Sequence, residues 1–171
     1  MHNEIYIEEL LNGLNMGLLA IDHLIDKIEN DQLRDIVLHQ RKAYGDLKNK
    51  ITRDDSHTED HLKNKMMLES MIEIKTLLTD DAKITKMLIE GSNQSVMTMA
   101  HLLNKDHHVD LKVKQYSDEF EEISQKYIDE FLEIEEERKR IIEQNKLSIA
   151  KWETKMKLDN QNKNKAPDNK E

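Results

Sequence analysis

The chain has no cysteine among its 171 residues. This removes a disulfide framework, a thiolate metal site and a thiol nucleophile together. It also has one proline and four glycines, and aromatic residues make up 4% of it. So few helix breakers, and so few residues that favour strands, point to an all-α chain. At this length it is one domain, able to bury a core without staples. Long apolar runs are missing too, since no stretch reaches the roughly 18 residues a membrane-spanning helix needs. The opening MHNEIYIEEL lacks the basic start and apolar stretch of a secretion signal, so a cytoplasmic location is expected and a membrane partner is not. Positive charge is the scarcer sign, with 26 Lys and Arg against 35 Asp and Glu and a formal net charge of -9. A nucleic-acid partner held through its phosphates is therefore not expected.

What the chain has in quantity is helical period. Ile7, Leu11, Leu14, Leu18, Ile21, Ile25 and Ile28 recur at alternating steps of four and three, which predicts a helix over about Asn3 to Glu29. Leu18 and Ile21 sit at the centre of that seam and are expected to be fully buried. Gly17 beside them is small enough to admit a neighbouring helix. Asn30-Asp31 supplies a turn and a cap, and a second helix follows to about Asp54 on the seam Leu33, Val37, Gln40, Tyr44, Leu47 and Ile51. Only Gln40 is polar there. Ser56 with Glu59 has the form of a capping box for a short third helix ending near Leu78, whose apolar side carries Met66, Met67 and Met71.

After Thr79-Asp80-Asp81, which again offers caps, a long helix runs to about Lys105. Its middle, Glu90-Gly91-Ser92-Asn93-Gln94-Ser95, is polar between two apolar ends. A last helix begins near Leu111 on Val113, Tyr116, Phe120, Ile123, Tyr127, Phe131 and Ile134. At about 1.5 Å per residue, a helix from Leu111 to Leu158 is about twice as long as the other main helices. Three regions are therefore expected: a helical bundle over 1–134, a C-terminal helical extension over 135–158, and a disordered polar tail over 159–171.

Helix, helix, short connecting helix, helix, helix is the chain path of a ferritin-like four-helix bundle, up-down-crossover-up-down, with an extended C-terminal helix. The run Met66 to Asn104 carries a Met-rich short helix, a turn with Thr79-Asp80 and a Met-Leu-Ile-x-Gly helix at Met87 to Gly91. In that order it resembles a family of uncharacterised clostridial ferritin-like proteins, and it is more distantly similar to rubrerythrin-related domains of unknown function. The resemblance implies a bacterial protein and the bundle fold. It does not reach Glu135 to Glu171, and it implies no particular activity.

A ferritin-type di-iron centre needs a carboxylate from each of two helices and Glu-x-x-His from each of the other two. No Glu-x-x-His occurs in the chain. Glu90 and Glu122 could be placed inward one at a time, and His107 and His108 could take a divalent ion at the surface, but no facing ligand set emerges. No cofactor is expected, and no catalytic residue is assigned. The polar middle of the long helix reads as tight packing, with a pocket formed by Gln40, Tyr44, Glu90, Asn93 and Gln94 as the alternative. The methionines, including Met87, Met97 and Met99, read as core filling.

The extension is different, because Ile141, Leu147, Ile149, Trp152 and Met156 are sparse apolar positions that follow the densely charged run Glu133 to Arg140. A lone Trp with aliphatic and Met neighbours needs a covering surface, such as a protein partner or a second copy paired as a short coiled coil. The expected function is that of a non-enzymatic structural or protein-interaction protein. An iron-handling, metal-binding member of the ferritin-like class is the alternative.

Overall fold

The computed structural model describes residues 2–54, 80–105 and 108–163. The connecting helix expected over Ser56 to Leu78, with its capping box and three methionines, lies outside the described residues, as does His107. Among the described residues the protein is all-helical: α1 (His2–Leu24), α2 (Asp31–Asp54), α3 (Asp81–Leu103) and α4 (Leu111–Lys163). The chain divides between Glu133 and Ile134 into two compact units.

Local chemistry explains the helix ends. A short 3-10 turn, Ile25–Lys27, closes α1, and Ile28 then adopts extended backbone. The side-chain carbonyl of Asn30 accepts from Leu33 N at 2.9 Å and starts α2. Asp80 caps α3 in the same way, accepting from Lys83 N at 2.9 Å. Its neighbour Asp81 does more, since its carboxylate accepts from Glu29 N at 3.0 Å and Asn30 N at 2.8 Å. Three donors orphaned at helix junctions thus find acceptors on residues 80 and 81.

That contact also sets direction. The start of α3 lies beside the start of α2, and Ser92 meets Gln40 halfway along both, so α2 and α3 are parallel. Helices α1 and α2 are antiparallel, as the Asp22–Arg41 ion pair at 2.6 Å and the approach of Gly17 to Tyr44 require. The first part of α4 runs antiparallel to α2. Tyr116 Oη donates to Asp54 at 2.7 Å, Lys50 pairs with Glu119, and Tyr44 meets Ser124. The order of the described helices is therefore up, down, down, up: the expected crossover joins two parallel helices, so the second pair runs down, up rather than the up-down expected from the sequence. The Tyr116 hydroxyl holds the Asp54 carboxyl below the usual carboxylate range, against partial desolvation and with help from Lys112.

The core of the first unit is the meeting of four seams. On α2 all six expected seam residues are buried, Gln40 included. On α1, Leu10, Leu14, Ile21 and Leu24 are fully buried, but Leu18 is only half-buried. The correction follows from the buried stripe, which passes through Leu10, Leu14, Ile21 and Leu24 and leaves Leu18 on its flank. The methionines divide: Met99 is buried, Met87 is half-buried and Met97 is 67% exposed. Met97 is therefore not core filling.

In the second unit α4 continues without interruption from Ile134 to Lys163. Residues 159–163, expected to be disordered, are helical, because no glycine or proline interrupts the ladder before Pro167. Glu135 pairs with Arg138 at 3.1 Å, and Arg140 sits 3.9 Å from Glu136 and 3.6 Å from Glu137. Such pairs one turn apart add a few tenths of a kcal/mol each to an exposed helix.

Candidate functional site

The middles of α2 and α3 meet the first part of α4 around a small polar cluster inside the apolar core. Gln40 lies at the centre of α2, 1% exposed, with Tyr44 one turn further on. Ser92 comes from the polar stretch of α3 and Ser124 from the seam of α4, and both are buried. The Gln40 amide nitrogen donates to Tyr44 Oη at 3.3 Å and to Ser92 Oγ at 3.2 Å. Tyr44 Oη lies 3.0 Å from Ser124 Oγ and 3.4 Å from Ser92 Oγ. Every partner is a neutral group. The amide and hydroxyls satisfy one another, as buried polar groups must if they are not to cost stability.

One atom of the cluster is left over. Gln40 Oε1 is buried and has no hydrogen-bond partner among the described residues. Turning the amide round would not remove the problem: it would point the oxygen at the two hydroxyls and leave two N–H donors unpaired in place of one acceptor. The orientation with nitrogen inward is the better satisfied of the two.

Above this cluster a cleft of about 340 Å³ opens between α1, α2 and α3. Met16, Ala20, Ile21 and Leu24 line its α1 side, and Met87 and Leu88 its α3 side. Gln40, Tyr44 and Ser92 supply the polar groups within, while exposed Glu90, Gly91 and Gln94 lie along the α3 edge. Four of the five residues named for a pocket from the sequence, Gln40, Tyr44, Glu90 and Gln94, do share one. Asn93 is exposed and does not line it. The expectation of tight packing at the polar middle of α3 is thus corrected, because an added Cβ at Gly91 would meet nothing within 4 Å.

The glycine that does permit close approach is Gly17. A Cβ there would lie 2.8 Å from Cε2 of Tyr44, closer than any carbon pair tolerates. Tyr44 cannot swing aside freely, since its hydroxyl is bonded to Ser124 and its ring packs 5.8 Å from that of Phe120. Gly17→Ala is therefore expected to destabilise by about 1 kcal/mol net: overpacking of about 2 kcal/mol outweighs the roughly 1 kcal/mol that alanine gains in a helix. Chemical denaturation measures it, and a variant more stable than the parent would mean the ring yields.

The remaining sequence candidates disperse. Glu90 is exposed and lies 3.7 Å from Lys86. Glu122 is exposed and lines a shallow surface depression with Asp118, Glu121, Gln125 and Lys126. His108 is exposed in the loop before α4. Among the described residues no three His, Cys, Asp or Glu side chains come together as metal ligands. On the second unit Ile141, Leu147, Ile149, Trp152 and Met156 are all exposed, Trp152 by 62%. Ser124 is the member of the central cluster that sequence reasoning missed. Its signal was position alone, one turn after Phe120 and on the seam that continues to Tyr127 and Phe131.

Compared with known proteins, the chain matches no family model, no curated protein and no solved structure.

Proposed function

We propose that this is a non-enzymatic interaction protein, built on a ferritin-like bundle that has given up its metal centre and associating through the C-terminal half of α4. Parallel α2 and α3, which a single crossover connection between them requires, and the resemblance of Met66 to Asn104 support the ferritin-like assignment. The observation that carries the functional reading is the neutral cluster at mid-bundle. Where a ferritin-type centre keeps carboxylates and histidines, Gln40, Tyr44, Ser92 and Ser124 hydrogen-bond one another. Neutral amide and hydroxyl groups do not compensate the charge of two metal ions, and none is a general base at neutral pH. Elemental analysis of protein purified without added metal is expected to find no stoichiometric iron. Two equivalents per chain would overturn the reading.

Association is supported by a stripe of side chains. Ile134, Arg138, Ile141, Asn145, Ile149, Trp152 and Met156 follow one another at steps of four, three, four, four, three and four. This is an 11-residue repeat, which is why it fits a heptad poorly. Such a repeat keeps one face aligned along a nearly straight or slightly right-handed pair of helices. Leu147 falls on the opposite side of the helix, about 160° from Ile149, and drops out of the interaction surface named from the sequence. Asn145 sits inside the stripe, where a polar residue can fix the register of two helices.

A second copy of the same helix is the simplest cover. Sedimentation equilibrium is expected to give a dimer for the full chain and a monomer for the double variant Ile149→Asp, Trp152→Asp. If the full chain is a monomer at tens of micromolar, self-association is ruled out.

A further inference from the structure

The stripe along the second half of α4 has the same spacing in both directions from Asn145. Ile134, Arg138 and Ile141 lead to it at steps of four, three and four, and Ile149, Trp152 and Met156 leave it at steps of four, three and four. An antiparallel copy whose Asn145 lies against Asn145 therefore sets Ile141 opposite Ile149, Arg138 opposite Trp152 and Ile134 opposite Met156. On the reading of this stripe as the self-association surface, we infer that two copies of α4 pair antiparallel about Asn145, with Arg138 of each copy on the Trp152 ring of the other.

Spacing alone also admits a parallel pair, since any stripe matches itself in register. Charge decides between them. A parallel pair sets Arg138 against Arg138, two like charges inside the interface. The antiparallel pair sets each guanidinium against an indole face, which attracts a cation. Arg138 is already oriented for it, half-buried and held by Glu135 at 3.1 Å, while Trp152 is 62% exposed. The guanidinium then stands between its own Glu135 and Glu153 of the second copy. Charge further along the helix agrees. Residues 133–139 hold four Glu against Arg138 and Lys139, a formal charge of -2, and residues 151–157 hold three Lys against Glu153, a formal charge of +2. The antiparallel register lays these stretches on each other at both ends of the pair, whereas the parallel register lays each on its like. At the centre the two Asn145 amides each offer a donor and an acceptor to the other.

Single-cysteine variants of the full chain test the register, because the parent has no cysteine. Asn145→Cys is expected to cross-link to itself in a glutathione buffer, since it faces its copy in either direction. Ile141→Cys and Ile149→Cys, mixed with one of them carrying a mass tag, are expected to form the mixed disulfide and neither homodimer. If Asn145→Cys stays monomeric, the self-association reading falls and this inference with it. If Asn145→Cys cross-links but Ile141→Cys links to itself, or no mixed disulfide forms, association stands and the antiparallel register is overturned. Arg138→Ala gives opposite signs in the two directions, read from the fluorescence of Trp152, the one Trp in the chain, against concentration. Losing two cation–π contacts should weaken the antiparallel pair about fivefold or more. A parallel pair would tighten on losing its Arg138 repulsion, so an unchanged or tightened pair overturns the inference.

Discussion

Phe120→Ala is expected to lower the stability of the first unit by about 3 to 5 kcal/mol, among the largest effects any single substitution in this chain should have. The ring is 2% exposed and lies where α1, α2 and α4 meet. It sits 3.5 Å from where a Cβ on Gly13 would be, and its centroid is 5.8 Å from that of Tyr44 at an interplanar angle of 42°. Truncation removes the ring's transfer free energy and its tilted contact with Tyr44, and leaves a cavity walled by helices that cannot close independently. Denaturant unfolding followed by circular dichroism, with Phe120→Leu beside it, measures the effect. The leucine variant should recover more than half of the loss. A change below about 1 kcal/mol for Phe120→Ala would show that the four seams do not share one core.

The second large effect concerns Tyr44, where two substitutions separate two contributions. Tyr44→Phe keeps the ring and removes the hydroxyl that links Gln40, Ser92 and Ser124. It is expected to cost about 1 to 3 kcal/mol, because Ser124 loses its bond to the Tyr44 hydroxyl and the cluster is broken in two. Tyr44→Ala also removes the ring, and the total should reach about 3 to 5 kcal/mol. The difference reports packing against Phe120 and Gly17. A Tyr44→Phe variant as stable as the parent would mean that water replaces the hydroxyl without loss, and that the cluster does not act as a unit. Repeating Gly17→Ala in the Tyr44→Ala background tests the coupling directly. The alanine should then be neutral or stabilising, since the clash is gone and only its helix preference remains.

Much of the architecture was legible in the residues because a helix with one apolar face writes its burial into its spacing. The α2 seam shows it most clearly. Leu33, Val37, Gln40, Tyr44, Leu47 and Ile51 were named from steps of three and four, and all are buried. The caps at Asn30 and Asp80 were legible for a similar reason: a side-chain acceptor next to three orphan N–H groups is local chemistry that needs no tertiary information. Gln40 stood out as the one polar residue on an otherwise apolar seam, and it proved to be a member of the buried cluster.

Where a choice depended on what another helix brings, spacing was silent. Two glycines at mid-helix looked alike, yet a Cβ added at Gly17 would lie 2.8 Å from the Tyr44 ring and one added at Gly91 would meet nothing within 4 Å. Leu18 and Leu14 share a seam, but only Leu14 is fully buried, because the stripe's edge is set by the breadth of the neighbouring helices. Met97 and Met99, two positions apart, point about 160° from each other, and only the packing decides which goes inside. Ser124 became a partner of Tyr44 through a contact 80 residues apart in sequence.

By itself, the sequence determined the all-helical class, the extent of α2 and the caps that begin α2 and α3. It also determined the lack of a di-iron ligand pattern. All of these are properties of residues within a turn or two of one another. The tertiary structure alone decided that α2 and α3 run in the same direction, that the polar middle of α3 borders a cleft, and that the Gln40 amide oxygen is buried with no partner among the described residues. Those depend on which surfaces meet, and helices with similar seams can meet in more than one way.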